Sequence, residues 1–241
     1  MHLDTSYDNQ FSTLADLNWL PWVGDNFRNK KVLIVGESHY DDNDGWLIYN
    51  DATRNFVNNQ GLNSHNPDFR NRRFFQQIEK TLLNKETSSF EERSTIWRNV
   101  AFFNLVQRLL PSSGDRPNDE DYDKGWRNFL KVVDIIKPDI CIKYGYDGVG
   151  RLGYLLNNYD TGWTRDDVQE FYTKPYCINL TKGNYKLRII FTYHPTGSRG
   201  FYFDEWATHI QSKFSNLNTL LSGHNTAGNS GLAKAGLKNI G

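Results

Sequence analysis

Apolar and polar residues alternate along this chain in blocks that predict strands and helices in turn. Short apolar runs such as Val32–Val35 have the length and the unbroken hydrophobicity of strands buried on both faces of a sheet. Segments with apolar residues at helical spacing separate these runs. A repeated order of strand and helix is typical of a parallel sheet that is covered by helices on both sides. The predicted core strands are Val32–Val35, Asn99–Val106, Asp139–Tyr144 and Leu187–Tyr193, with an edge strand around Tyr176–Leu180.

The helical segments and the polar connections define one domain. A short helix is predicted within residues 1–30, and the last helix ends near Leu221, where the chain turns to Gly, Asn, Ala and Lys. Residues 43–66 are polar throughout, which in a compact domain is a long loop that is either functional or partly disordered. We therefore predict a single domain over residues 1–222 and a flexible tail over residues 223–241. The other predicted helices run from Pro67 to about Lys85, from Trp126 to Ile136 after a polar connection, and from Gly148 to Leu156.

The composition excludes several classes of protein but does not indicate a function. The 241 residues are enough for a sizeable core, and aromatic residues make up 15% of them. A formal net charge of zero argues against a strongly basic protein that coats DNA, although a small basic patch is compatible with it. The polar, acidic start does not resemble a signal peptide, and no apolar run is long enough to span a membrane. Together with the two cysteines, this predicts a reduced, cytoplasmic protein. Cys141 and Cys177 are too few for a four-cysteine zinc or iron–sulfur cluster, and no cofactor is expected.

Candidate chemistry collects where the predicted strands end. In open α/β sheets, ligands bind beyond the carboxyl ends of the strands, which lie at one edge of a parallel sheet. A polar surface turn after a buried strand is the alternative for each of these segments. We expect neither a nucleotide-phosphate site, of the G-x-G-x-x-G or the G-x-x-x-x-G-K-[ST] kind, nor a G-x-S-x-G nucleophile turn. The residues concerned are Glu37, Ser38, His39, Tyr40, Asp41 and Asp42 after the first strand, Asn104 in the second, Lys143 in the third, and His194 to Arg199 after the last.

Two of these strand ends carry motifs of a known family. The first, GESHY at Gly36–Tyr40, resembles the first motif of the uracil-DNA glycosylase superfamily, which in its best-known branch is GQDPYH. The second, HPTGSRGFY at His194–Tyr202, resembles the second motif of that family, a His-Pro-Ser loop followed by Arg-Gly-Phe. The resemblance covers residues 30–221 in outline. It implies a three-layer α/β/α sandwich with a central four-stranded, mainly parallel sheet.

The resemblance also implies a reaction and roles for individual residues. The reaction is metal-independent hydrolysis of the N-glycosidic bond of a base flipped out of DNA, which leaves an abasic site in base excision repair. His194 would donate a hydrogen bond to the departing base, and a carboxylate would orient the attacking water. Glu37 is the first choice for that carboxylate, with Asp41 or Asp42 as substitutes. Base-binding residues would be Ser38, His39, Tyr40 and Asn104, and DNA would be contacted by Lys143, Thr196, Ser198, Arg199 and Phe201, in a monomeric protein.

Departures from the family pattern leave alternatives open. Ser38 stands where the family has its water-orienting aspartate, and His39 replaces the motif proline. The substrate is therefore either uracil or another altered base, including the hypermodified bases of phage DNA, in which case the role would be antiviral defence. A non-catalytic module that binds a base or nucleic acid on the same fold is the rival. Without a role in any site, His194 would be a partly buried histidine that caps a strand end and Asn104 a turn residue.

Overall fold

The computed structural model describes residues 2–29, 31–40, 49–62, 72–112, 114–166, 177–196 and 200–213. Residues 223–241, predicted as a tail, lie outside the described residues. The strands are β1 Trp22–Val23, β2 Val32–Gly36, β3 His39–Tyr40, β4 Val100–Asn104, β5 Leu109–Leu110, β6 Ile140–Tyr144, β7 Thr164–Asp166, β8 Cys177–Lys182 and β9 Tyr185–Thr192. The helices are α1 Asp8–Phe11, α2 Ala52–Phe56, α3 Arg72–Leu83, α4 Phe90–Asn99, α5 Asp119–Ile136, α6 Val149–Asn158 and α7 Phe203–Lys213, and a π-helical segment, Val57–Leu62, follows α2.

Four parallel strands form the centre of the sheet, in the order β4-β2-β6-β9. They are the four core strands that the apolar runs predict, so the α/β class is confirmed. The sheet has seven strands, however, and the expectation of four was wrong. β1 adds to one side, and β8 and β7 add to the other, all antiparallel. A tight turn joins β8 to β9. The edge strand predicted around Tyr176–Leu180 corresponds to part of β8, which runs from Cys177 to Lys182.

Helices cover both faces of this sheet. Along β2, Leu33 and Val35 point to the face packed against α5 and α6, and Val32 and Ile34 point to the face packed against α3, α4 and α7. This alternation is the period of two that a strand imposes on its side chains. Both cysteines are buried. No helix among the described residues combines the length and the apolar character needed to cross a membrane.

The polar segments hold more helix than the hydrophobic pattern predicts. The predicted loop over residues 43–66 is helical in much of its described part, because the buried guanidinium of Arg54 binds the Asp8 carboxylate and the carbonyl of Pro21. Helix α4 was not predicted, and α5 begins at Asp119, well before Trp126. Capping boxes start both helices, with Ser89 and Asn118 as the N-cap residues.

The N-terminal prediction was wrong in its second half. In this segment α1 is a single short α-helix and a 3-10 helix follows at Phe27–Asn29, whereas Trp22 lies fully buried in β1 and not in a helix. The strand forms because Trp22 and Val23 pair with the open side of β4. The indole nitrogen of Trp22 also donates a hydrogen bond to the carbonyl of Trp97 at 2.7 Å.

A second, small sheet carries His39 into the interior. β3 pairs with β5, which draws the chain after Ser38 away from the strand ends of the main sheet. The His39 ring packs edge-on against Trp19 and Phe56, and its Nε2 atom lies 3.1 Å from the hydroxyl of Thr53. Burial lowers the pKa of His39 to about 3. The ring is therefore a neutral core side chain at ordinary pH.

This burial predicts an acid-sensitive fold. The unfolded chain takes up a proton at His39 near pH 6.5 and the folded chain only near pH 3, so stability from this group is complete above pH 6.5 and is lost as the pH falls. Between pH 7 and pH 5 the wild type should lose about 2 kcal/mol of unfolding free energy through this residue. In urea unfolding over the same pH range, the free energy of unfolding of His39→Gln should fall by about 2 kcal/mol less than that of the wild type. His2→Gln, on the surface, should keep the wild-type slope, and equal slopes in all three proteins would contradict this assignment.

Candidate functional site

The carboxyl ends of the four parallel strands meet at one edge of the sheet. In the register, Gly36 lies opposite Asn104, and Lys143 lies between Val35 and Phe191 on the neighbouring strands. Neighbouring strands are separated by about 4.8 Å, so the residues that follow β2, β6 and β9 are within side-chain reach of one another. Backbone hydrogen bonding between the chain segments continues past the ends of β2 and β4. The N–H of Val106 donates to the carbonyl of Glu37 at 2.8 Å.

Glu37, the first residue after β2, has a fixed and buried carboxylate. Only 6% of the residue is exposed, and its Oε1 atom accepts a hydrogen bond from the hydroxyl of Tyr122 at 2.9 Å. Burial, and then the Glu37 carboxylate itself, raise the pKa of Tyr122. The phenol therefore stays protonated and acts as a constant donor that orients the carboxylate. Tyr122 lies in α5, and the sequence analysis missed it.

His194, after β9, has the geometry of a neutral hydrogen-bond donor. The backbone N–H of Thr196 donates to its Nδ1 atom at 3.4 Å, and the Thr196 hydroxyl lies 3.1 Å from the same atom. Because a backbone N–H can only donate, Nδ1 accepts and the ring proton is assigned to Nε2. Burial lowers the pKa of His194, while the Glu37 carboxylate acts on it in the opposite direction. The two residues are therefore electrostatic neighbours.

An aromatic surface lies beside His194. The ring of Phe74, from α3, has its centroid 5.6 Å from the His194 ring, with an angle of 34° between the planes. Tyr144 and Phe102 support Phe74 from below, each at a centroid distance of 6.2 Å. A half-buried aromatic face next to a hydrogen-bond donor suits a planar polar ligand. Phe74 lies in the helix predicted from Pro67 to about Lys85, but nothing in the sequence indicates that it reaches the site.

Asn104 reaches this side of the site because Gly36 has no side chain. A Cβ atom on Gly36 would lie 2.2 Å from the Oδ1 atom of Asn104, so any other residue at position 36 would displace the amide. Asn104 and Phe102 are two residues apart in β4 and point to the same face of the sheet. The amide is 3% exposed. It therefore belongs to the face of the sheet on which Phe74 packs.

Lys143 lies inside the site and not on its surface. It has no exposed area, and its ammonium group donates to the carbonyls of Tyr144 at 3.0 Å and Gly145 at 3.2 Å. The phosphate contact expected from the sequence requires an exposed amine, which this position does not offer. Arg116 and Asp147 are exposed residues that were not predicted as part of the site. Arg116 lowers, and Asp147 raises, the pKa of both His194 and Tyr122. Asp147 follows β6, so the strand-end rule could have found it, whereas no pattern marks Arg116.

The remaining candidate residues divide into four groups. Ser38 follows Glu37, and its hydroxyl is buried without a hydrogen-bond partner in the described part of the chain. His39 lies in the small sheet among Trp19 and Phe56, apart from His194, and Tyr40 is half-buried next to it. Phe201 is half-buried and stacks on Trp206. Asp41, Asp42, Ser198 and Arg199 lie outside the described residues.

The expectation that the chain has no G-x-G-x-x-G turn was wrong, because one lies between β6 and α6. Gly148, Gly150 and Gly153 have the G-x-G-x-x-G spacing of a dinucleotide-binding turn, directly after a buried strand and at the start of a helix. Gly148 has a φ of +75°, and a Cβ on Gly150 would meet no atom within 4 Å. The third glycine departs from the pattern, because a Cβ there would meet a side-chain atom of Arg165, in β7, and no strand backbone.

The arrangement therefore joins a buried carboxylate, a neutral imidazole donor and an aromatic face at one edge of the sheet. Neither protein-family models nor curated proteins match this sequence. The chemistry of the site follows from the geometry of Glu37, His194 and Phe74. That set can bind a planar polar group and stabilise both a departing anion and a developing cation.

The contact between Tyr122 and Glu37 predicts a stability effect at the site. Tyr122→Phe removes the donor to a buried carboxylate, which should lower the free energy of unfolding by about 1–3 kcal/mol. Tyr49→Phe is the matched control, because that side chain is 60% exposed and should change stability by less than about 0.5 kcal/mol. Urea unfolding at neutral pH measures both. Equal, small effects would mean that the hydroxyl of Tyr122 does not hold Glu37.

Proposed function

We propose that this protein is a DNA glycosylase of the uracil-DNA glycosylase type, which hydrolyses the N-glycosidic bond of a base flipped out of DNA. The observation that carries the proposal is the pairing of a neutral His194 with a buried Glu37 carboxylate at one sheet edge. These two residues come from the two motifs whose resemblance to that superfamily implies the same roles. The parallel strands at the centre of the sheet are the part of the fold that the resemblance requires.

The reaction needs both groups. The bond between C1′ and the base nitrogen breaks, its electron pair leaves with the base, and a positive charge develops on the sugar. The Nε2–H of His194 would donate a hydrogen bond to an oxygen of the departing base and so stabilise its negative charge. The Glu37 carboxylate would stabilise the cation and take the proton from the water that attacks C1′. The products are a free base and an abasic site.

Recognition of the base would use the other side of the site. Phe74 offers a ring face on which a flipped base can stack, and the Asn104 amide can pair with the edge of that base. Ser38 supplies a hydroxyl where the family has its aspartate, so Glu37 has to act as the carboxylate. Since these groups fit several bases, uracil, another damaged base and a hypermodified phage base are all substrates of this proposal. Repair and antiviral defence are the corresponding roles.

A direct assay tests the reaction. Duplexes that contain uracil, hypoxanthine or glucosylated cytosine would be incubated with the full chain under single-turnover conditions, and abasic sites would be detected by alkaline cleavage. We expect cleavage of one of them, and a loss of about a hundredfold or more in rate for Glu37→Gln and for His194→Ala. DNA binding should be nearly unchanged in both variants, and His2→Ala should cleave like the wild type. DNA binding without abasic sites from any duplex would favour the non-catalytic module.

Arg116 gives a separate prediction for DNA binding. Its exposed guanidinium acts on His194 and Tyr122, so it lies near the opening of the site, where a flipped nucleotide would bring its phosphate. Arg116→Ala should weaken binding to all sequences and reduce the slope of log K against log salt by about 1. Arg28→Ala, just before β2 at the opposite edge of the sheet, should leave that slope unchanged. Equal slopes for both variants would show that Arg116 is not part of the DNA-binding surface.

A second candidate function rests on the glycine motif at Gly148–Gly153. Its position between a buried strand and a helix favours a site for the phosphates of a free nucleotide. The ring of Tyr122 crowds Gly148, and a Cβ on the third glycine would meet only the side chain of Arg165 and no strand backbone, which makes this candidate the weaker one. Calorimetric titration with NAD and with AMP distinguishes the two functions. Micromolar binding of either one, abolished in Gly150→Asp, would favour the nucleotide site.

A further inference from the structure

The outer side of α5 and α6 exposes two tyrosine rings next to each other. Tyr154, in α6, is 43% exposed, and Tyr159, directly after the end of that helix, is 46% exposed. Their ring centroids are 6.2 Å apart, with an angle of 69° between the planes. Single exposed rings are common on protein surfaces, whereas neighbouring ones indicate a contact surface.

A guanidinium group lies over each of these rings. The Cζ atom of Arg127, on α5, is 4.4 Å from the ring centroid of Tyr159, and that of Arg151, on α6, is 4.3 Å from the ring centroid of Tyr154. The first pair connects α5 with the end of α6. Because both rings are held in place by these contacts, a partner that binds them loses less free energy in ordering them.

The positive charge of this surface is concentrated at Arg127 and Lys131. These two exposed residues of α5 are one helical turn apart and so lie on the same face of the helix. Neither forms an ion pair within the part of the chain that the structure describes, and the nearby Asp160 carboxylate accepts the backbone N–H of Gly162 at 3.2 Å. Towards the start of α5 the cations are paired, Lys124 with Glu120 and Arg151 with Asp119 and Asp123.

Exposed rings and unpaired cations together fit a single-stranded nucleic acid. Unpaired bases stack on aromatic side chains, and cations beside them bind the phosphates. A protein partner would require an apolar core in the interface. Among the described residues of α5, of α6 and of the turn after it, however, the exposed large apolar side chains are tyrosines only. The formal net charge of zero is compatible with a basic patch of this small size.

We propose that the α5–α6 surface, formed by Arg127, Lys131, Tyr154 and Tyr159, binds single-stranded nucleic acid, with bases stacked on the two rings and phosphates on the two cations. This surface lies beside the candidate site and not in it. Helix α6 begins at the strand-end edge, and Tyr159 comes ten residues after its first residue, about 15 Å along the helix axis. The proposal does not rest on the glycosylase function, because it involves none of the residues assigned to that reaction.

The test is the binding of labelled thymidine and uridine oligonucleotides of about 15 nucleotides, within the site sizes of such surfaces, measured by fluorescence anisotropy with the full chain. The wild type should bind at least one of them, and the comparison distinguishes DNA from RNA. Tyr154→Leu and Tyr159→Leu should each weaken binding about tenfold or more, because the stacking face is lost. Tyr154→Phe and Tyr159→Phe keep the ring and should bind like the wild type.

Matched controls come from the other face of the sheet. Phe90→Leu removes a ring that is 40% exposed at the start of α4, and it should leave the affinity unchanged. Arg127→Ala should reduce the slope of log K against log salt by about 0.7, the value for one phosphate of a single strand, whereas Lys85→Ala should not change it. Failure of the wild type to bind either oligonucleotide, or equal affinities of the Tyr→Leu variants and Phe90→Leu, would overturn the proposal.

A second measurement does not depend on the folding of any variant. Ultraviolet crosslinking of the bound thymidine oligonucleotide to the wild type, mapped by mass spectrometry, should place crosslinks at Tyr154 or Tyr159. Crosslinks confined to the strand-end edge, around Glu37 and His194, would overturn the proposal. Neither measurement uses a base that has to be cleaved, so both remain decisive if the glycosylase assay fails.

Discussion

The register of four parallel strands is the constraint on which the site depends. Side chains alternate between the two faces of a strand, so Glu37 and Lys143 belong to the face covered by α5 and α6, and Asn104 belongs to the face covered by α3 and α7. Beyond the strand ends this separation disappears, and His194 comes within electrostatic range of Glu37. A shift of one residue in any of these strands would exchange the faces and separate the groups.

The exclusion of water at this edge makes its charges effective. Glu37 and Lys143 are buried, so their interactions with His194 are screened less than those of surface charges. Tyr122 fixes the carboxylate through its hydroxyl, and Thr196 contacts the imidazole through its backbone N–H and its hydroxyl. The site is thus preorganised, because its polar groups are already oriented before a ligand binds. Phe74 adds a surface that is selective for planar ligands but tolerant of their identity.

The sequence predicts the centre of this molecule better than its borders. The four core strands are continuous apolar runs, and the strand-end rule together with two motifs identifies Glu37 and His194 as neighbours. Helices α2 and α4 were missed because neither has an apolar stripe along its whole length: α2 holds the buried Arg54, and α4 begins at a capping box and buries Ile96 and Trp97. Tyr122 and Phe74 could not be assigned to the site from sequence, because the packing angle of a helix decides which side chain reaches the strand ends. His39 turns away because β3 pairs with β5, a contact that no local pattern shows.

The central claim is that groups from the two faces of the sheet act on one sugar and its base. The most direct measurement is a crystal structure of the full chain bound to a duplex with a stable abasic-site analogue, which needs no knowledge of the natural base. The account predicts that the analogue is flipped out of the duplex, with its sugar between the Glu37 carboxylate and the His194 ring and with the face of Phe74 open for a base. A sugar that stays in the duplex, or DNA that lies on another surface of the protein, would contradict it.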